Sequence, residues 1–436
     1  MRILIVGGGG REHALARRLA REDAVAEVIL APGNEGAARH FRCFSVAESD
    51  AGALAALCAR ERVNLVVIGP EAPLAAGVAD ALRERGVATF GPSREAARLE
   101  SSKWFAKQIM ISAGVPTARA ERHERWTEAQ QALDRFRAPW VIKADGLAAG
   151  KGVCVARERA EAERFVAGCL EGRLGAGGRS VVIEEFLEGE EATIMAICDG
   201  MRHVLLAPAR DFKRALDHDH GPNTGGMGSC APLERVDASL EREVGERIVQ
   251  PVLEAMSRRG SPYRGLLYCG LMIGSSDVRV LEFNARFGDP ETQAVLPITG
   301  GALGALLKSA AMGSLDDGAI TREHGAAVAV ALVDEGYPDA LRGGGRIEGL
   351  DRMEDSDTHV IHAAAAWRDG AWTASGGRAA YVVAEGPSVA AARERAYRAI
   401  DRLGGSGWRC RRDIAAGGGG GEAESAAGAA SGAHGG

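Results

Sequence analysis

Glu282 and Asn284 stand two residues apart in the run VLEFNARFGDPETQ at 280–293, alternating with Leu281 and Phe283. Successive side chains of a strand point to opposite faces, so both polar groups share one face. Hard oxygen ligands converging at a strand end suit a magnesium ion that keeps waters and phosphate oxygens. Arg286 continues that face, where a guanidinium can contact a phosphoryl group in transfer. A buried salt-bridge network is the competing reading of the same run.

A second constellation is KADGLAAGKGV at 143–153. Gly146, Gly150 and Lys151 approximate a P-loop, but three residues separate the two glycines and Gly152 replaces the Ser/Thr. The flanking segments read as strand leading into strand, so no helix N-terminus is available for phosphates. What remains is a glycine hairpin flanked by Lys143 and Lys151. It can close over a triphosphate whose charge the ammonium groups neutralise, or lie at the surface with both lysines solvated. The run VVIEEFLEGEE at 181–191 is a strand ending in acids. It presents backbone groups to an adenine edge and a carboxylate to ribose hydroxyls, or else forms a charged surface turn.

The turn GGGGREH at 7–13 opens a helix, where amides and the helix dipole favour an anion. A dinucleotide fingerprint needs a third glycine at position 12, which is Glu12, and an acid closing the second strand. That strand ends Ala31-Pro32-Gly33-Asn34, leaving a ligand turn or a purely structural one. DFKRALDHDHGPNTGGMGS at 211–229 reads as a substrate lid; His218 and His220 lack the further ligands a metal would need. Neither a serine elbow nor a Cys–His nucleophile signature is present.

These groups must be held by alternating elements. RILIV at 2–6, AEVILA at 26–31, NLVVIGPE at 64–71 and VATFG at 87–91 read as strands, with a helix from 71 through about 85. They predict a doubly wound parallel sheet over roughly residues 1–100. One helix and an extended connector fill 103–125, and helix, strand, glycine loop, strand, helix and strand give 126–190 its own α+β pattern. A long helix near 237–259 and the strand pair LLYCGLMIG and VRVLEFNA follow. The divisions are an N-terminal α/β unit at 1–102, a central unit at 103–125 and 191–313, and a small lid at 126–190. A β-rich C-terminal unit spans 314–414. The Gly/Ala tail at 415–436 has no branched or aromatic residue to offset its ordering entropy and is expected to be disordered.

Composition narrows the class. Hydrophobic residues are 46% and charged residues 26% of the 436, ordinary for a soluble globular chain. A net charge of -6 gives no general attraction to nucleic acid or anionic lipid. Eight scattered cysteines with no CxxC pair read as reduced thiols, and the four-residue apolar run before the first glycine is no signal peptide or membrane span. A cytoplasmic location is expected.

In order along the chain, GGGGREHAL, APGNEG, GPEAPLAAGV, IKADGLAAGKGV, VIEEFLEGEEA, GPNTGGMG and EFNARFGDPETQ resemble segments of the phosphoribosylamine–glycine ligase (glycinamide ribonucleotide synthetase) family. That family lies within the ATP-grasp superfamily, and the resemblance covers about residues 1–413. It implies a pre-ATP-grasp N-terminal unit, an ATP-grasp core with a small lid, and a small β-rich C-terminal unit. The implied reaction joins glycine to 5-phosphoribosylamine at the expense of ATP, in purine biosynthesis, with magnesium or manganese and in a monomer. Lys103, Lys143 and the loop bearing Gly146, Gly150, Lys151 and Gly152 would meet the ATP phosphates. Glu184, Glu185, Phe186 and Leu187 would hold adenine, and Glu190 the ribose. Glu282 and Asn284 would ligate the metal, and Arg286 would stabilise the phosphoryl in transfer. Gly9, Gly10, Asn34 and Glu71 would face phosphoribosylamine. Asp211, Lys213, Asn223, Thr224, Gly225, Gly226 and Asp289 would lie near glycine and the amine, with Asp211 and Lys213 in the chemistry. Departures from the family pattern are Phe212 in place of His or Tyr, the alanines at 363–366 after His362, and Asp413-Ile414 running into Ala-Gly.

Overall fold

The strand Arg2–Gly7 splits its side chains between two cores: Ile3 and Ile5 join one, Leu4 and Val6 the other. That is how the centre of a sheet covered on both faces behaves. In the computed structural model, which describes residues 1–148, 152–173, 179–322 and 325–417, its neighbours are Glu27–Pro32 and Leu65–Ile68. Arg42–Cys43 and Thr89–Phe90 close the edges, and all five strands run parallel, as the alternation predicts. The helix expected from 71 to about 85 is broken into Glu71–Ala76 and Val78–Glu84 at Gly77, whose φ of 87° no helix accepts.

The central sheet is antiparallel, ordered His203–Leu205, Glu190–Asp199, Arg264–Ile273, Val278–Asn284. Its last pairing slips between Gly270 and Leu271: Gly270 faces Glu282 and Leu271 faces Val280. Leu281 is therefore the extra residue of a β-bulge, its carbonyl outside the ladder. The long helix expected near 237–259 is present as Ala238–Val244, a wider π turn at Gly245–Val249, and Gln250–Arg258. Pro251 explains the widening: its ring crowds the carbonyl four residues back and it has no N–H to offer.

A smaller antiparallel sheet, Ala120–His123, Val181–Glu185, Trp140–Ala144, Val153–Ala156, carries the helices Trp126–Arg135 and Arg159–Leu170. It has its own core around Ile142, Val166 and Ile183. The third large sheet contains Ala326–Asp334, Arg378–Gly386 and Thr358–His362, as well as two strands from far earlier, Arg210–Asp211 and Gly228–Ala231. Residues 228–231, which sequence pattern groups with the central unit, thus pair with 327–330, and 210–211 join that sheet through 229–230. The segment 211–229 bridges two units.

The C-terminal departures pack. Ala365 and Ala366 are buried in a strand pair with 371–374, and Ile414 and Ala415 are buried beside Gly228. Ala415 therefore belongs to the packed chain and not to the expected tail; residues 418–436 of that tail lie outside the described residues. No helix among the described residues is long and apolar enough to cross a membrane.

Three histidines close the joint between the first helix, Gly10–Leu19, and the strand Thr358–His362. The His362 amide donates to His13 Nδ1 at 3.0 Å, and the His362 ring lies 4.1 Å from that of Trp372. Burial, aided by nearby arginines, pushes His359 down to about 3 and His362 to about 4, and burial with the His362 charge lowers His13 as well. The folded chain holds all three neutral at pH 5, where an unfolded chain with ordinary histidines near 6.5 takes up protons. Stability therefore falls as pH drops from about 6.5 toward 4, by on the order of 1.4 kcal/mol per pH unit per histidine. Urea unfolding at pH 7 and pH 5 measures this; a His359→Gln chain should show a shallower loss, and an identical one would contradict the account.

Candidate active site

Where the central sheet, the small sheet and the segment 211–229 meet, they enclose a cleft of about 2110 Å³. The bulge at Leu281 supplies its first fixed point. Lys143, on the middle of the small sheet, donates from Nζ to the Leu281 carbonyl at 2.9 Å and pairs with Glu184 at 3.0 Å. One ammonium thus ties the small unit to the central strand. Glu184 also takes Lys107, at 3.3 Å, and the Lys107 ammonium donates to Thr117 Oγ1 at 2.7 Å and the Ala118 carbonyl at 3.0 Å. Burial, with Lys143 adding to it, pushes Lys107 down to about 8 against the pull of Glu184.

Across the cleft, Lys103 Nζ sits 3.1 Å from Glu282. That cation, with Lys213 and Lys143 beyond it, holds the Glu282 carboxyl well below the usual carboxylate range despite burial. Asn284 lines the same wall and its carboxamide makes no hydrogen bond to the described residues. An ionised carboxylate beside a free amide oxygen suits a hard divalent cation that keeps most of its other ligands from water and phosphate. Arg286 lies between two acids, 3.4 Å from Glu71 and 3.2 Å from Glu100. Glu100 in turn accepts the Ala285 amide at 2.8 Å, so the guanidinium is fixed from both sides of its own backbone.

The opposite end is formed by 211–229. Lys213 pairs with Glu191 at 2.7 Å. Asp211 carries a buried Oδ1 with no hydrogen-bond partner, and burial together with the Glu291 charge pushes its carboxyl well up. Thr224 donates to the Lys213 carbonyl at 2.9 Å, Gly225 N donates to the Tyr337 hydroxyl at 2.9 Å, and Asp289 pairs with Arg378 at 2.8 Å. Phe212, the departure from the family pattern, is buried with the Arg210 guanidinium 4.9 Å from its ring centre. A cation–π contact takes the place of a polar one.

Nearly all residues singled out from sequence face this cleft. Gly146, Gly152, Glu185, Phe186, Leu187 and Glu190 line it, and so do Gly9, Glu71 and Asn223. Gly10, Asn34 and Gly226 stand behind its wall. Gly10 packs where an added Cβ would meet Tyr381 at 2.7 Å, and Asn34 braces the glycine turn by donating to the Gly8 carbonyl at 2.9 Å. The Gly9 amide donates to Glu12 at 2.7 Å, so the first glycine turn is closed by its own helix and is not an open anion hole there. Gly150 and Lys151 lie outside the described residues. His218 and His220 are exposed, and the described residues hold no cluster of three or more His, Cys, Asp or Glu fit for a metal. Sequence reading missed Lys107, Glu100, Glu291 and Arg378. Lys107 follows Lys103 by one helical turn, a signal that could have found it; Arg378 becomes visible only through the sheet.

With that geometry in view, comparison with known proteins is decisive. Three models of phosphoribosylglycinamide synthetase match in order: the N domain at 1–100, the ATP-grasp (A) domain at 101–292 and the C domain at 327–417. A phosphoribosylamine–glycine ligase of Streptomyces coelicolor is 48% identical over 95% of this chain and 99% of its own. The chain belongs to the phosphoribosylamine–glycine ligase family. A phosphoribosylamine–glycine ligase structure from Thermotoga maritima matches with a TM-score of 0.82 and 34% identity, covering 95% of this chain and all of that one. A biotin carboxylase from Campylobacter jejuni, at 16% identity and a TM-score of 0.70 over 94% and 92% of the two chains, shares the fold. The reading of the sequence as an ATP-grasp ligase of this family therefore holds, and family membership carries use of ATP and a divalent metal.

Lys143→Met leaves the Leu281 carbonyl without its donor and Glu184 Oε2 with Lys107 alone. It should cost about 1–3 kcal/mol, the penalty of stranded buried polar groups. Amide exchange in residues 126–148 and 152–173 should quicken relative to the N-terminal sheet. Unchanged exchange there would show that this lysine does not hold the small unit down.

Proposed function

We propose that this chain joins glycine to 5-phosphoribosylamine, giving glycinamide ribonucleotide while ATP becomes ADP and phosphate, a step of de novo purine biosynthesis. The observation that carries the reading is the gathering at one cleft of Lys103, paired with Glu282, and Lys143, bonded to the Leu281 carbonyl. Asn284 is on the same strand, and Arg286 lies two residues past the strand's end, where the sequence pattern has it continuing the strand face.

A carboxylate is a poor acyl donor because its leaving group is oxide. The glycine carboxylate first attacks the γ-phosphoryl of ATP, forming glycyl phosphate and releasing ADP. The phosphoribosylamine nitrogen then attacks the acyl carbon, the tetrahedral adduct collapses, and phosphate departs as the amide forms. Nothing here requires a protein nucleophile; the work is positioning and charge neutralisation. Glu184 to Leu187 and Glu190 serve the nucleoside, while Lys103, Lys143 and the 146–152 loop serve its phosphates. Arg286, oriented by Glu71 and Glu100, meets the phosphoryl in flight. Asp211, its Oδ1 unpartnered, and Lys213 receive glycine's ammonium and carboxylate ends, with Asn223 to Gly226 and Asp289 closing that side. Gly9, Gly10, Asn34 and Glu71 shape the ribosyl phosphate end. Glu282 and Asn284 would hold magnesium or manganese, which when bound lowers the negative charge on the phosphates. We place it in the cytoplasm as a monomer, with neither nucleic acid nor membrane as partner.

ADP release should require both glycine and freshly generated phosphoribosylamine, each omission abolishing it. Release driven by bicarbonate or formate would assign the site to another ATP-grasp acid. Arg286→Ala should lower turnover on the order of 100-fold, the scale of one transition-state donor. Near-normal turnover would remove Arg286 from its role.

A further inference from the structure

A second hollow, of about 930 Å³, lies between the helices of residues 71–101 and the turn 260–264, and shares no lining residue with the large cleft. Its charge is unusual for a chain of net -6: Arg83, Arg94, Arg98 and Arg264 line it against only Asp80 and Glu95. Those two acids do not neutralise it. Glu95 is taken by Arg98 at 2.6 Å, and Asp80 approaches Arg83 only to 3.7 Å while accepting the Arg94 amide at 2.7 Å. Arg94 and Arg264 form no ion pair with any described residue.

Two donors are stranded here. Nε of Arg83 and Nε of Arg264 are both buried without a hydrogen-bond partner. A buried N–H of a charged group left unpaired costs more than a neutral one, and the nearby Arg264 charge adds repulsion at Arg83. Burial and the neighbouring Arg264 charge indeed lower Arg83 from the ordinary arginine range, only partly offset by Asp80. Both Nε atoms are closed off from solvent, and Arg83 Nη2 already donates to the Thr89 and Gly91 carbonyls. An oxyanion in the hollow would therefore meet the outer nitrogens of Arg264 and Arg94, neither of them ion-paired, and offset the repulsion. Guanidinium forks match the spacing of phosphate oxygens, and Ser93, Ser101 and Ser261 add hydroxyls around the rim. No aromatic ring lines the hollow, so nothing there stacks a base.

We propose that this hollow is a binding site for a small phosphate dianion, separate from the ligase cleft, with Arg264 and Arg94 as its donors. The phosphate group is either free or carried on a short sugar.

Calorimetry on the full chain, with the large cleft saturated by magnesium ADP, tests it using inorganic phosphate and ribose 5-phosphate as separate probes. A saturable heat should appear with at least one probe, and the probe that binds more tightly identifies the source. Arg264→Gln should weaken that binding at least 10-fold, and Arg94→Gln, an exposed position whose loss leaves the fold intact, should weaken it by a smaller factor. Glycine-dependent ADP release by Arg94→Gln should match the unsubstituted chain, so loss of anion binding is separable from any failure of the proposed reaction. No saturable heat with either probe, or equal affinity in all three chains, would overturn the site.

Discussion

Ionised groups cannot be taken out of water unless opposite charges and hydrogen bonds replace the lost solvation, and each unmatched ion costs several kcal/mol. The cleft is organised by that constraint. Glu184 lies under two ammonium groups, Glu282 under a third, and Arg286 between two carboxylates. Each contact joins segments far apart in the chain: Lys143 meets Leu281, Lys107 meets Glu184, and Arg286 meets Glu71. The three sheets can take many relative positions by apolar packing alone, but few in which all these charges are matched. Specificity of arrangement, more than net stability, is what the charges contribute.

The same network readies the cleft for a polyanion. Lys103 and Lys143 are held on protein carboxylate and carbonyl oxygens, positions that phosphate oxygens can share or take over. Preformed donors need little reorganisation when negative charge arrives, which is the economical way to stabilise charge that develops during reaction. Asp211 runs against this scheme, since burial and the Glu291 charge disfavour its ionised form, and burial raises Glu100 in the same direction.

Local pattern carried the fold class and much of the cleft. The alternation of Glu282 and Asn284 with apolar neighbours requires only that the segment be a strand, and the parallel N-terminal sheet follows from apolar runs between helices. What sequence spacing could not carry was pairing at a distance. The bulge that frees the Leu281 carbonyl depends on register with Gly270 and Leu271. Placing Arg378 beside Asp289 requires the ladder between Ala326–Asp334 and Arg378–Gly386. Gly77 breaking a predicted helix, and the Gly9 amide being satisfied by Glu12, are local events that residue type suggested and only backbone geometry decides.

The ladder joining Gly228–Ala231 to Ala326–Asp334 also has a bearing on how the molecule is made. As the chain leaves the ribosome, the small and central sheets are complete once residue 284 has emerged. The strand after Lys213 must still wait for its neighbour, nearly a hundred residues later in synthesis. Until then the half-built protein has the cleft walls formed by the small and central sheets but no finished wall at 211–229. Vectorial synthesis thus keeps that side open to solvent until the last quarter of the polypeptide arrives.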